Sequence, residues 1–139
     1  MKSFTEPMSI LAELNLTAVR MAKKLDRGFS VHGISFNEFL IMHFLTQSQQ
    51  ATLSRIELAE SLGITASGIT RMLNPMEKNH LVDKQSNPRD ARVSLVKLTD
   101  TGKKLYAEAF NSFEHQAQSL LPDIRQYQAE TLLAFLSKL

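Results

Sequence analysis

Residues 54–72 read Ser54-Arg55-Ile56-Glu57-Leu58-Ala59-Glu60-Ser61-Leu62-Gly63-Ile64-Thr65-Ala66-Ser67-Gly68-Ile69-Thr70-Arg71-Met72. The spacing of Ala59, Gly63 and Ile69 within this stretch decides the fold. Ala59 is small enough, in mid-helix, for a second helix to cross closely. Gly63, four residues on, can turn the chain where a side chain would clash or need a positive φ. Ile69, six residues further, is a branched apolar plug from the second helix into the first, with Leu58, Leu62 and Ile64 completing the contact. This is the sequence form of a helix-turn-helix, whose second helix can enter the major groove of DNA.

Start signals mark the neighbouring helices. Ser54-Arg55-Ile56-Glu57 is a capping box that opens the first helix of the pair, and Thr65 is an N-cap for the second. Ser35-Phe36-Asn37-Glu38 is another capping box and predicts a helix through about Thr46. Upstream, Met8, Leu11, Leu14, Ala18, Met21, Ala22 and Leu25 fall at helical spacing, which predicts a helix over 8–27. Four short helices are thus expected in the first half of the chain.

The pattern then changes period. Leu81–Lys84 and Val93–Leu98 are rich in aliphatic and β-branched residues, and Ser86-Asn87-Pro88-Arg89-Asp90 between them is a turn-forming cluster. These predict a two-stranded hairpin. Thr99 caps a long helix with Leu105, Ala109, Phe113, Ala117 and Leu120 on its apolar side. Pro122 separates it from a last amphipathic helix over 123–139. A helix-turn-helix followed by a hairpin is a winged helix, so the expected fold is mainly α with a small β-hairpin wing. The chain reads as one domain, 1–139. Residues 35–98 form the winged helix-turn-helix, and 7–30 with 99–139 form flanking helices. Their apolar stripes need another surface, and a second copy of the same helices would supply one, giving a symmetric dimer.

Bulk composition narrows the class. The 139 residues are 43% hydrophobic and 22% charged, ordinary for a globular protein with a real core. No apolar run approaches the length of a membrane span, and no basic-then-apolar signal opens the chain, so a cytoplasmic location is expected. The absence of cysteine excludes disulfides, thiol redox sensing and Cys-based zinc sites. The net charge of +2 and pI near 9.0 are too weak to argue nucleic-acid binding alone. Residues 54–104 carry nine Lys/Arg against six Asp/Glu, while the remainder carries seven against eight. The basic excess sits with the helix-turn-helix and the residues C-terminal to it.

The hairpin tip and exit, Asn87-Pro88-Arg89-Asp90-Ala91-Arg92-Val93-Ser94-Leu95-Val96-Lys97-Leu98-Thr99-Asp100-Thr101-Gly102, combine an Asp-x-Arg tip, a short apolar strand and Leu-Thr-x-x-Gly. This resembles the MarR family of bacterial transcriptional regulators. Ile69-Thr70-Arg71-Met72-Leu73 and Glu77-Lys78-Asn79-His80-Leu81-Val82 are similar to the end of that family's recognition helix, and the resemblance covers about 35–105. It implies a homodimeric, winged-helix repressor that reads double-stranded DNA and releases it on binding a small-molecule effector. The recognition helix would lie in the major groove and the wing tip in or near the adjacent minor groove. Carried onto this chain, Thr65, Ser67, Thr70, Arg71 and Asn74 would face DNA from the helix. Arg92 would be the wing arginine, Asp90 the acid that orients it, and Arg89 a backbone contact.

Physical chemistry agrees with those roles. Arginine donates twice to guanine O6 and N7 in the major groove, and in a narrow minor groove it is drawn by enhanced negative potential. Hydroxyls and helix N-terminal amides suit phosphate oxygens. Asp90 repels phosphate, so its role is to hold Arg92, two residues away, in one rotamer.

Two positions depart from the family pattern. Pro75 lies inside the expected recognition helix and predicts a kink, or an end and restart, near residue 74. His80 stands where the family has glycine, so Asn79 or His80 must take any left-handed cap. The resemblance puts an effector pocket between the dimerisation helices and the winged helix, with Phe36, Phe39, Met42, His43 and Phe113 as its wall, although such a stripe also makes ordinary core. His32, His43, His80 and His115 form no close pair, so no metal site is expected. No cofactor is implied. No Gly-rich phosphate loop, Ser-His-Asp arrangement or metal-ligand cluster suggests an enzyme. The alternative to DNA reading is a winged helix used as a protein-interaction module, against which Thr70, Arg71 and Arg92 argue.

Overall fold

Every start signal in the sequence opens a helix. In the computed structural model, which describes residues 1–139, the chain runs α1 (Glu6–Phe29), a 3-10 turn (Ser30–His32), α2 (Phe36–Gln47) and β1 (Thr52–Ser54). It continues through α3 (Arg55–Leu62), α4 (Ala66–Lys78), β2 (Val82–Asn87), β3 (Asp90–Leu98), α5 (Asp100–Leu120) and α6 (Gln126–Leu136). Both capping boxes close. Ser35 and Glu38 exchange bonds of 3.1 and 3.0 Å, and Ser54 and Glu57 bonds of 3.1 and 2.7 Å. The Thr65 and Thr99 hydroxyls accept from the Gly68 and Gly102 amides at 3.1 and 2.9 Å. Each such cap contributes about 1 kcal/mol.

The helix-turn-helix packs as its spacing predicts. Gly63 ends α3 at φ 67°, and the Ile64 amide donates back to the Ala59 carbonyl at 3.1 Å. Ala59, Leu58 and Ile69 are buried in the seam between α3 and α4, and join one core with Phe39, Ile41, Met42, Leu45, Leu73, Met76, Val96 and Leu98.

Four expectations are corrected. The first helix is not short: it spans 24 residues, with Pro7 accommodated in its first turn. The sheet has three antiparallel strands in the order β1-β3-β2, not two, because Thr52, Leu53 and Ser54 pair with Lys97, Val96 and Leu95. Three residues carry too little alternation to read as a strand, and their partners lie more than 40 positions away. The strands β2 and β3 also reach further into the turn cluster than the aliphatic runs suggest. Finally, α4 neither ends nor restarts at Asn74: it continues through Pro75 to Lys78. Leu73 and Met76, both fully buried, anchor the helix on either side of the proline.

The left-handed residue after α4 is His80, at φ 61°, and not Asn79. Around it the His80 amide donates to Glu77 at 3.0 Å and the Leu81 amide to Met76 at 2.9 Å, which closes the helix end and aims the chain into β2. The Leu-Thr-x-x-Gly motif locks this exit. The Thr99 hydroxyl lies 2.6 Å from the His80 carbonyl and 3.0 Å from that of Leu81. Gly102 presses against the Leu81 carbonyl so closely that a Cβ would collide with it. The wing is therefore fixed to the end of α4.

Candidate nucleic-acid interface

α4 presents an outward polar face opposite Ile69, Leu73 and Met76. Ser67 and Arg71 are exposed on it, and the Arg71 side chain makes no hydrogen bond or ion pair within the chain. The Thr65 hydroxyl, besides capping the helix, lies 3.1 Å from the Ser67 hydroxyl. Thr70 is half-buried, and its hydroxyl is already committed. It donates to the Ala66 carbonyl at 3.1 Å and accepts from Arg55 Nη1 at 2.9 Å. Asn74 is exposed, and its side-chain oxygen accepts from Lys84 Nζ at 3.3 Å. Lys84 in turn pairs with Glu77 at 3.1 Å, so β2 is tied to the last turns of α4 by a lysine between two α4 side chains.

The wing tip is built around one clasp. Between the pairs Ser86↔Ser94 and Asn87↔Asp90 the register breaks, leaving Ala91, Arg92 and Val93 without opposite numbers on β2. Such a bulge bends the strand and re-aims its side chains. The Asp90 carboxylate accepts from the Arg92 amide at 3.0 Å, from Nε at 3.1 Å and from Nη2 at 3.3 Å. Those guanidinium bonds, then the amide bond, hold the Asp90 carboxyl below its usual range. The Arg92 side chain is nonetheless 91% exposed. Arg89 is exposed beside it, its amide held at 2.9 Å by the Asn87 side chain in a local turn.

Two residues that reach onto α4 have no signal in their local sequence. Lys84 looks like a plain strand residue. Arg55 looks like the second position of a capping box, yet it reaches across to α4 and joins Ala66, Ser67, Thr70 and Arg71 around an open groove of about 470 Å³. Only a contact between residues 15 apart reveals it.

The five residues assigned to an effector pocket are distributed otherwise. Phe39 and Met42 are fully buried core. Phe36, Phe39, Phe113 and Phe29 form one aromatic cluster with ring centroids 4.9–6.2 Å apart. His43 Nδ1 lies 2.8 Å from the Tyr106 hydroxyl, whose pKa burial pushes up. Of the five, Phe113 alone borders an apolar groove of about 310 Å³, shared with Thr17, Met21 and Leu25 of α1, Ala117 and Leu120 of α5, and Leu121 just beyond it.

Residues 34–94, which span α2 to the wing, match the MarR family model. The chain is 25% identical over 134 residues to the HTH-type transcriptional regulator YwaE of Bacillus subtilis (strain 168), covering 96% of this chain and 77% of that one. It spans just under two thirds of two further HTH-type regulators of that organism. Among solved structures it is similar to Sco3205, a MarR family regulator from Streptomyces coelicolor in complex with DNA. The TM-score is 0.88 at 20% identity, covering 99% of this chain and 88% of that one. It is also similar to a MarR mutant from E. coli complexed with operator DNA, with TM-score 0.86 at 22% identity over 99% and 98% of the two chains. The helix-turn-helix, the clasped wing arginine and the family match fall on the same residues, and over that stretch the chain is similar to the MarR family, with the fold of its winged-helix regulators.

Proposed function

We propose that this chain is a ligand-responsive repressor that binds a pseudo-palindromic operator as a homodimer. The observation that carries the DNA-reading geometry is the pairing of two cations on linked elements. Arg71 is unpartnered on the outer face of α4, and Arg92 is held extended on the bulge of a wing fixed to that helix. Arg71 would read base edges in the major groove and Arg92 the adjacent minor groove, with Ser67, Asn74 and Arg89 on or near the backbone.

The homodimer rests on unmet burial. Not one residue of α6 is buried, and Tyr127, Leu132, Leu133, Phe135 and Leu136 are each more than 40% exposed. On α1, Met8, Ile10, Leu11, Leu16 and Val19 are similarly open. Apolar surface this extensive calls for a partner. In this reading 7–30 and 99–139 join the protomers, and 35–98 of each reads one half-site, about one helical turn apart. The apolar groove between α1 and α5 is where a small effector would act, since it lies among those same helices. A winged helix used only for protein contacts gives the clasped Arg92 no purpose.

Fluorescence anisotropy on DNA from upstream of the protein's own gene, against scrambled DNA, tests the reading. Selective binding that weakens in Arg92→Ala supports it. Equal binding to both duplexes, together with genome-wide selection that yields no motif, overturns it. Sedimentation velocity showing a monomer at micromolar concentration would overturn the dimer.

A further inference from the structure

Arg55 is placed against its own electrostatics. It is the first residue of α3, at the helix end whose exposed amides repel a cation. None of the four ion pairs in the molecule includes it. Glu57, two residues on, gives its carboxylate to the Ser54 amide instead. The Arg55 Nε is sealed from solvent without an acceptor, the one buried side-chain polar atom in the structure left so. A guanidinium carries five N–H donors. One meets Thr70 and one is sealed, so three remain with no acceptor in the chain. A half-buried, unneutralised arginine is expensive to keep, and residues that break local rules this way mark functional positions.

The surroundings of Arg55 define the missing partner. The groove holds Arg55 and Arg71 with the Ser67 and Thr70 side chains, and no carboxylate lines it. Two cations beside a hydroxyl, on the flank of the helix proposed to enter the major groove, suit an anion with paired oxygens. We propose that Arg55 binds a DNA backbone phosphate end-on through its Nη donors, and that Thr70 is the residue that positions it. Thr70 would then serve DNA binding through Arg55, because its only O–H already points to the Ala66 carbonyl. This rests on the proposed DNA-reading function and adds α3 to the contact surface.

The test uses the full chain and a mixed-sequence duplex of roughly 30 base pairs, long enough for two half-sites. Affinity is measured across a salt series for the native protein, Arg55→Ala, Arg55→Lys, Thr70→Val, the Arg55→Ala/Thr70→Val double variant and Arg92→Ala. Each phosphate contact contributes about 0.9 to the slope of log affinity against log salt. Arg55→Ala is expected to lower the slope by about that amount per protomer and to weaken binding to any sequence roughly tenfold. Arg55→Lys, which keeps the charge, recovers part of the slope and guards against a folding defect in the alanine variant. The double variant should bind like Arg55→Ala alone, since Thr70 has nothing left to position. A folded Arg55→Ala protein with the native slope, while Arg92→Ala weakens binding, overturns this inference alone. Additive losses in the double variant overturn the positioning role of Thr70. Absence of salt-dependent binding by the native protein overturns the DNA-reading function and this inference together.

Discussion

The carboxylate of Asp90 takes three hydrogen bonds from a single residue, Arg92: two from the guanidinium at 3.1 and 3.3 Å and one from the amide at 3.0 Å. An acid beside the proposed DNA-binding surface is unfavourable for phosphate, so its presence is explained by the rotamer it imposes. Asp90→Asn leaves the Arg92 charge in place while loosening the clasp. Operator affinity should fall only a few-fold, with the salt slope unchanged, because the number of cationic contacts is the same. A slope as shallow as that of Arg92→Ala would show that Asp90 does more than orient.

The same clasp has a pH signature. The Asp90 carboxyl titrates below its ordinary value of 3.8 because Arg92 favours the ionised form. A depressed folded-state value means that the contribution is fully present above 3.8 and is lost as pH falls through the lowered midpoint. Tracking the Asp90 carboxyl carbon by NMR should give a midpoint below 3.8 in the native protein and a return towards it in Arg92→Ala.

Arg71 and Arg92 should fail differently. Arg71→Ala is expected to alter base preference, costing about 1–3 kcal/mol of discrimination at one position of each half-site. Arg92→Ala should weaken affinity and flatten the salt slope. Binding selection on randomised duplexes for the two variants separates these outcomes.

His80 sits at φ 61° with an exposed side chain that makes no hydrogen bond. The contacts that hold this corner are its backbone bonds to Glu77 and Thr99, which any residue keeps. Removing the Cβ relieves a left-handed conformation costing about 1 kcal/mol. His80→Gly should therefore raise the melting temperature by about 4 °C in thermal unfolding.

Pro75 lacks the amide that would bond the Arg71 carbonyl, yet the helix runs on to Lys78. The residue is exposed, so replacing it opens no cavity. Pro75→Ala should stabilise the fold by about 2 kcal/mol, the interior-helix penalty less the unfolded-state entropy that proline removes. Chemical denaturation checks the magnitude, and a loss of stability would mean that the core contacts of Leu73 and Met76 depend on the proline.

The helix starts, the α3–α4 seam and the wing clasp were legible because each depends on residues close in sequence. A Ser-x-x-Glu box closes over three residues, Ala59 to Ile69 spans ten, and Asp90 reaches Arg92 across one. Such contacts need no knowledge of the rest of the chain. β1, the Arg55–Thr70 bond and the Lys84 link between β2 and α4 join residues 10 to 45 positions apart, and nothing in their local spacing distinguishes them from solvated positions. Pro75 shows the same division from the other side. Local propensity argues for a break at that position, but the burial of Leu73 and Met76 in the core outweighs it. Short-range hydrogen bonds and periodicity thus specify which elements this chain makes. Packing between distant elements sets where they meet, how far α4 extends and which cations are left exposed on the surface.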